Sequence, residues 1–152
     1  MTKRLEQALH KLYTSFYDGT LNPECCYACA VGNICDNRDM WKHFTEAHGS
    51  LKLNYVGMVN EGFNKRINGY LPSELLEIEA VFLRGCGFEL PIRRGAIKPE
   101  NPRSQDTLYN GMRAVIAFLC ELDGVEDVME ISTQFTDQMF ASRSTSDEVL
   151  FP

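Results

Sequence analysis

The chain has no uninterrupted apolar run approaching the roughly 18 residues of a membrane-spanning helix, so membrane insertion is not expected. It also has no basic block or stripe. Its 15 Lys and Arg are outnumbered by 21 Asp and Glu, for a net charge of −6. A surface that neutralises nucleic-acid phosphates is therefore not expected. The most basic segment, Arg93-Arg94 with Lys98 and Arg103, reads as a solvated loop. There is no G-x-G-x-x-G and no P-loop, so nothing supports nucleotide binding. There is no H-E-x-x-H and no nucleophile elbow. Internal repeats and low-complexity tracts are missing too. Met1-Thr-Lys-Arg4 is positively charged, but Glu6, His10 and Lys11 interrupt the next residues, so no apolar signal-sequence core forms. The expected location is the cytoplasm, where clustered thiols serve as metal ligands or redox groups rather than structural disulfides.

Cysteine, by contrast, is concentrated. Four of the six cysteines, Cys25, Cys26, Cys29 and Cys35, fall within eleven residues, and two of the three histidines, His43 and His48, lie just downstream. The spacing Cys26-x2-Cys29-x13-His43-x4-His48 suits a tetrahedral zinc ion, which takes thiolate and imidazole donors. On a helix Cys26 and Cys29 would point the same way, as would Cys25 and Cys29. The expected ligands are Cys26, Cys29, His43 and His48, with Cys25 or Cys35 as substitutes. The match to a DNA-reading Cys2His2 finger is incomplete, because Asn33 stands where an aromatic is wanted. The alternative is a redox or electron-transfer protein, with either an iron–sulfur cluster on Cys25, Cys26, Cys29 and Cys35 or a reactive Cys26-Tyr-Ala-Cys29 dithiol. The cysteine order is the reverse of the plant-type ferredoxin spacing, and no β-strand precedes the dithiol. Packing is the remaining reading, and it is the one expected for Cys86 and Cys120.

Helical periodicity dominates the rest. Leu5, Ala8, Leu9, Leu12, Tyr13, Phe16 and Tyr17 predict an amphipathic helix from Lys3 to Tyr17, stopped by Gly19. Asn22-Pro23-Glu24 reads as the start of a second, short helix carrying the cysteines, which would place the thiols in a first turn that favours thiolate. Asp36, Asn37 or Asp39 would cap a third helix through Trp41, His43 and Phe44 to Gly49. Leu51 to Tyr70 is ambiguous, with a weak strand-like alternation from Leu51 to Val56. Two more helices are predicted, one from Leu71 to Arg84, ended by Gly85, and one through Leu108 to Leu122, ended by Gly124. Between them Gly87 to Arg103, with three prolines, predicts an extended loop. A last helix is predicted from Glu126 to Phe140.

The expected fold is mainly α: a single domain of five or six helices over residues 1–141, with a metal-stapled N-terminal helix pair and a flexible tail at 142–152. Glu74, Glu77 and Glu79 are expected on an exposed helical face, His10 in solvent and Trp41 in the core. No acid–base constellation marks an enzyme. The sequence leaves room for a protein partner, without identifying one.

Several segments together resemble a known group. They are Leu21-Asn-Pro-Glu-Cys-Cys-x-x-Cys-Ala-Val-Gly-Asn33, Trp41-Lys-His43, His48-Gly-Ser-Leu-Lys-Leu-Asn-Tyr-Val-Gly57, Leu71-Pro-Ser-Glu-Leu-Leu76 and Gly85-Cys-Gly87. The group comprises short bacterial proteins that often carry the label of the NADH-oxidising component of the sodium-translocating NADH:quinone reductase. The similarity spans about residues 1–140. The full-length component combines a membrane anchor, a plant-type ferredoxin module and a flavin- and NADH-binding module, and the cysteine order here differs from the ferredoxin's. The resemblance implies a small soluble bacterial protein built around the Cys-Cys-x-x-Cys motif and supplies no site residues.

Overall fold

A computed structural model describes residues 1–45 and 47–129. Five α-helices run through it: α1 (Lys3–Asp18), α2 (Ala30–Ile34), α3 (Tyr55–Gly62), α4 (Pro72–Cys86) and α5 (Gln105–Leu122), with a 3₁₀ turn at Met40–Phe44. Among the described residues the only β pairing is two isolated bridges, Thr45 with Leu53 and Ile67 with Tyr70. The protein is mainly α, as its periodicity predicts. No helix among the described residues is long and apolar enough to cross a membrane.

The helices start where side-chain oxygens take up the free N–H groups of the first turn. Thr2 caps α1, Asn54 caps α3 and Ser104 caps α5, each accepting from a backbone N–H in the first turn. Helix α4 begins at Pro72, whose missing N–H costs nothing there. Glu74 Oε1 accepts from the Leu71 N–H at 2.9 Å, and Glu61 of α3 accepts from the Ser73 N–H at 3.0 Å and from its hydroxyl.

One core joins the elements. Leu5 and Leu12 of α1, Ile34 of α2, Trp41, Leu75, Ile78 and Phe82 of α4, and Met112 and Ile116 of α5 are essentially without solvent exposure. Helices α4 and α5 form the main pair. They approach closely because two glycines face the crossing. A Cβ on Gly85 would lie 2.9 Å from the Cβ of Ala114, and one on Gly111 would lie 2.3 Å from the Cys86 sulfur. Gly85 is thus a packing residue inside α4, which continues to Cys86, and not the helix stop its sequence context suggests. At the other end Arg4 of α1 reaches Asp123, the C-cap of α5, through Nε at 2.9 Å and Nη2 at 2.6 Å.

Three further boundaries differ from expectation. Asn22-Pro23-Glu24 forms a turn closed by the Glu24 N–H to Asn22 Oδ1 at 3.0 Å, and α2 starts only at Ala30. The third helix is one 3₁₀ segment, and Asp39 makes no side-chain cap bond. Tyr55 and Val56 are helical, in α3. Val128 and Met129 pack against the core, but the rest of the predicted last helix and the 141/142 boundary lie outside the described residues.

Candidate thiol and imidazole site

The segment between α1 and α2 is fixed carbonyl by carbonyl. Trp41 Nε1 donates to the Cys26 carbonyl at 2.9 Å, Asn37 Nδ2 to that of Tyr27 at 3.0 Å, and Asn33 Nδ2 to that of Ala28 at 3.1 Å. The loop lies directly on α2 because Gly32 has no side chain: a Cβ there would meet the Cys26 oxygen at 2.6 Å and the Tyr27 carbonyl carbon at 2.5 Å. A backbone held this way positions its side chains firmly, which is what a ligand site requires.

These constraints separate the two thiols of the C-x-x-C. Cys29 is completely buried and is the N-cap of α2, its sulfur accepting from the Gly32 N–H at 3.4 Å. Cys26 is half-buried, and its sulfur lies 3.4 Å from His48 Nδ1. The thiols are not activated as a first-turn position would suggest. Burial pushes the Cys29 thiol far above its ordinary range, outweighing the Gly32 N–H. Burial, then the charge of Glu79, also raises Cys26, and burial pushes Cys35 up to about 12. The reason is local: the helix begins after Cys29 and has only five residues, so its dipole is weak while the core surrounds the sulfur.

The structure brings together two of the four expected ligands, Cys26 and His48. His43 sits on the exposed side of the 3₁₀ turn, Cys29 points its sulfur at the α2 backbone, Cys25 is half-buried and Cys35 ends α2 with 3% exposure. Among the described residues no group of three or more His, Cys, Asp or Glu side chains is already arranged to hold a metal ion.

A residue expected in solvent joins the pair. Glu79 is 1% exposed, and its Oε1 lies 2.9 Å from His48 Nδ1 and accepts from the Gly49 N–H at 3.1 Å. Its other oxygen, Oε2, is buried and has no hydrogen-bond partner. The signal is present in α4: Glu79 stands four residues after Leu75 and four before Leu83, both buried, so a carboxylate interrupts the apolar stripe.

The ring of His48 has a determined orientation. Nε2 lies 2.8 Å from the Pro23 carbonyl oxygen, which can only accept, so Nε2 carries a proton. Nδ1 is then the nitrogen that faces both Cys26 and Glu79. Burial works against the imidazolium, yet the hydrogen bond and charge of Glu79 outweigh it, and the His48 value is raised above 6.5.

No protein family matches this chain. No curated protein and no solved structure matches it either. The functional reading therefore rests on the residues themselves.

Proposed function

We propose that this chain is a small metal-binding protein that holds a zinc ion on Cys26 and His48, with Glu79 as the third donor. The observation that carries the reading is the orientation of His48. Its Nε2–H is committed to the Pro23 carbonyl, which leaves Nδ1 as the donor atom. Metal-ligating histidines are ordinarily held by this kind of outer hydrogen bond. The spacings are compatible: 3.4 Å from sulfur to Nδ1 and 2.9 Å from Nδ1 to Oε1, against roughly 3–4 Å between donors whose bonds to zinc are about 2.0–2.3 Å.

Charge supports the same reading. Glu79 disfavours a bare Cys26 thiolate, so the local potential is negative and suits a cation. A divalent ion is neutralised by one thiolate and one carboxylate, with the imidazole neutral. It also offsets the cost of the buried Oε2, which has no other partner. Loading requires Cys26 and Glu79 to turn toward a common point and releases protons from Cys26 and His48. With three protein donors the fourth position is open to Cys25 or to water, the arrangement of an exchangeable or catalytic ion rather than of a closed structural site.

Two rival chemistries have less support. An iron–sulfur cluster takes four thiolates, and Cys29 and Cys35 are turned into the core. Dithiol exchange needs a thiolate in advance, whereas burial keeps both Cys26 and Cys29 protonated. A metal ion displaces the proton itself.

The test is metal analysis of purified protein by mass spectrometry. About one zinc per chain is expected in the parent, in His43→Ala and in Cys29→Ser, and less than ~0.2 in Cys26→Ser and His48→Ala. Loss in His43→Ala with retention in His48→Ala would sink this ligand set. A brown, iron-containing protein would replace it with the cluster.

A further inference from the structure

Beside His48 opens a pocket of about 470 Å³ that is made chiefly by the loop after α4. The loop is ordered by its own bonds. The Glu89 N–H donates to Ile97 O at 2.8 Å across its neck, and the Ala96 N–H donates to Arg93 O at 3.0 Å at its tip. Ile92 packs against Gly49, where a Cβ would come within 2.6 Å of it.

Two kinds of side chain line this concavity. Phe88, Ile92, Ile97 and Pro23 give it apolar walls, and Ile97 is 67% exposed and Ile92 41%. A branched aliphatic side chain that far open to water gains nothing from the core, and in a pocket it offers contact area to a ligand. The second kind is cationic. Arg93, Arg94 and Lys98 all line the pocket, and none forms an ion pair among the described residues. Two carboxylates, Glu24 and Glu89, also line it, so cations outnumber anions by three to two. The excess is local and opposes the chain's overall charge of −6. The basic run that reads in sequence as a solvated loop is therefore wrapped around a cavity. It is too small for a nucleic acid, which needs a phosphate-tracking stripe.

We infer that this pocket binds a small organic anion, its apolar body against Phe88, Ile92 and Ile97 and its carboxylate or phosphate head on Arg93 and Arg94. The guanidinium fork suits either head group, since both present paired oxygens. The volume suits a body of one or two rings. The ligand would lie against the His48 ring, and its binding does not require a metal on the neighbouring donors.

The test uses two fluorescent probes that share their rings and differ in charge: anilinonaphthalene sulfonate and uncharged N-phenylnaphthylamine. Both are titrated into the full chain, with and without added zinc. One sulfonate probe per chain is expected, displaced by phenylacetate or by phenyl phosphate, and the better competitor names the head group. In the double variant Arg93→Ser/Arg94→Ser its Kd rises about tenfold or more, while N-phenylnaphthylamine binding is unchanged. In Ile97→Asp both probes weaken. These substitutions are at exposed positions, and circular dichroism verifies the fold. Sulfonate binding that survives both variants unchanged would place the probe elsewhere and overturn the inference. So would equal affinity of the two probes for the parent, or displacement by neither competitor. Zinc content of the Arg93/Arg94 variant, measured on the same samples, separates failure here from failure of the metal reading.

Discussion

At the scale of single residues the decisive one is Glu79. In the sequence it is one of several helix carboxylates, and residue type alone puts it in solvent with Glu77, which is indeed exposed. Burial follows position on the apolar stripe, and there position overrides type. The same holds for the thiols, whose burial outweighs the helix-start effect. Cys26 and His48 are legible from their spacing; their third neighbour, thirty-one residues downstream of His48, is not. A pH dependence results for the metal-free protein. Because the folded His48 value is raised, the stabilisation from its ion pair with Glu79 is complete below the unfolded value of 6.5 and is lost as pH rises through the folded value. The urea midpoint should therefore fall between about pH 6 and pH 8, and Glu79→Gln should flatten that fall. A dependence of equal size in Glu79→Gln would remove the pair from the account.

At the scale of elements, α1, α4 and α5 are legible because each buries one continuous face against another helix, which imposes a 3.6-residue period. Helix α3 lacks that period. Gly57 is its only buried residue, and Tyr55, Val56 and Met58 are exposed, so no stripe announces it. Helix α2 starts later than its sequence suggests, since Asn-Pro-acid is shared by helix starts and Asx turns. Gly85 resembles a stop because local sequence does not reveal which glycines sit at a helix crossing. That crossing gives a paired prediction. Gly111→Ala adds a methyl 2.3 Å from the Cys86 sulfur and 2.9 Å from the Phe82 ring, and should cost about 1–3 kcal/mol despite alanine's better helix propensity. Gly62→Ala meets nothing within 4 Å and should be neutral or stabilising by up to about 1 kcal/mol. Chemical denaturation of both variants decides it, and equal midpoints would show that α4 and α5 separate without cost.

At the scale of the molecule, the chain ties its first helix to the end of α5. Arg4 donates to Asp123 and also, at 2.7 Å, to the Gly69 carbonyl, and its guanidinium lies 4.6 Å from the centre of the Tyr70 ring. The Asp123 side chain is 1% exposed and that of Arg4 is 21%. Removing the cation leaves a buried carboxylate without its charge partner. Arg4→Met should cost about 2–3 kcal/mol, below the full value for a completely buried pair because Arg4 keeps some water. The loss should appear as one cooperative transition at lower denaturant, since the link joins both ends of the same core. A separate early transition, with the remainder unfolding as in the parent, would show that α1 is a detachable element. Mainly helical architecture is legible in the periodicity; the Arg4–Asp123 link is not, because contacts across 119 residues leave no trace in local pattern.

The indole of Trp41 donates its N–H to the carbonyl of Cys26, and the chain has no other tryptophan. The protein is therefore built with an optical probe wired to one residue of the candidate site. Its emission originates at one place, on a hydrogen bond to the backbone of the proposed ligand, and no second indole dilutes the signal. Quenching or a change in lifetime can thus time the arrival of an ion, or the opening of the 25–29 loop, in the unlabelled natural sequence.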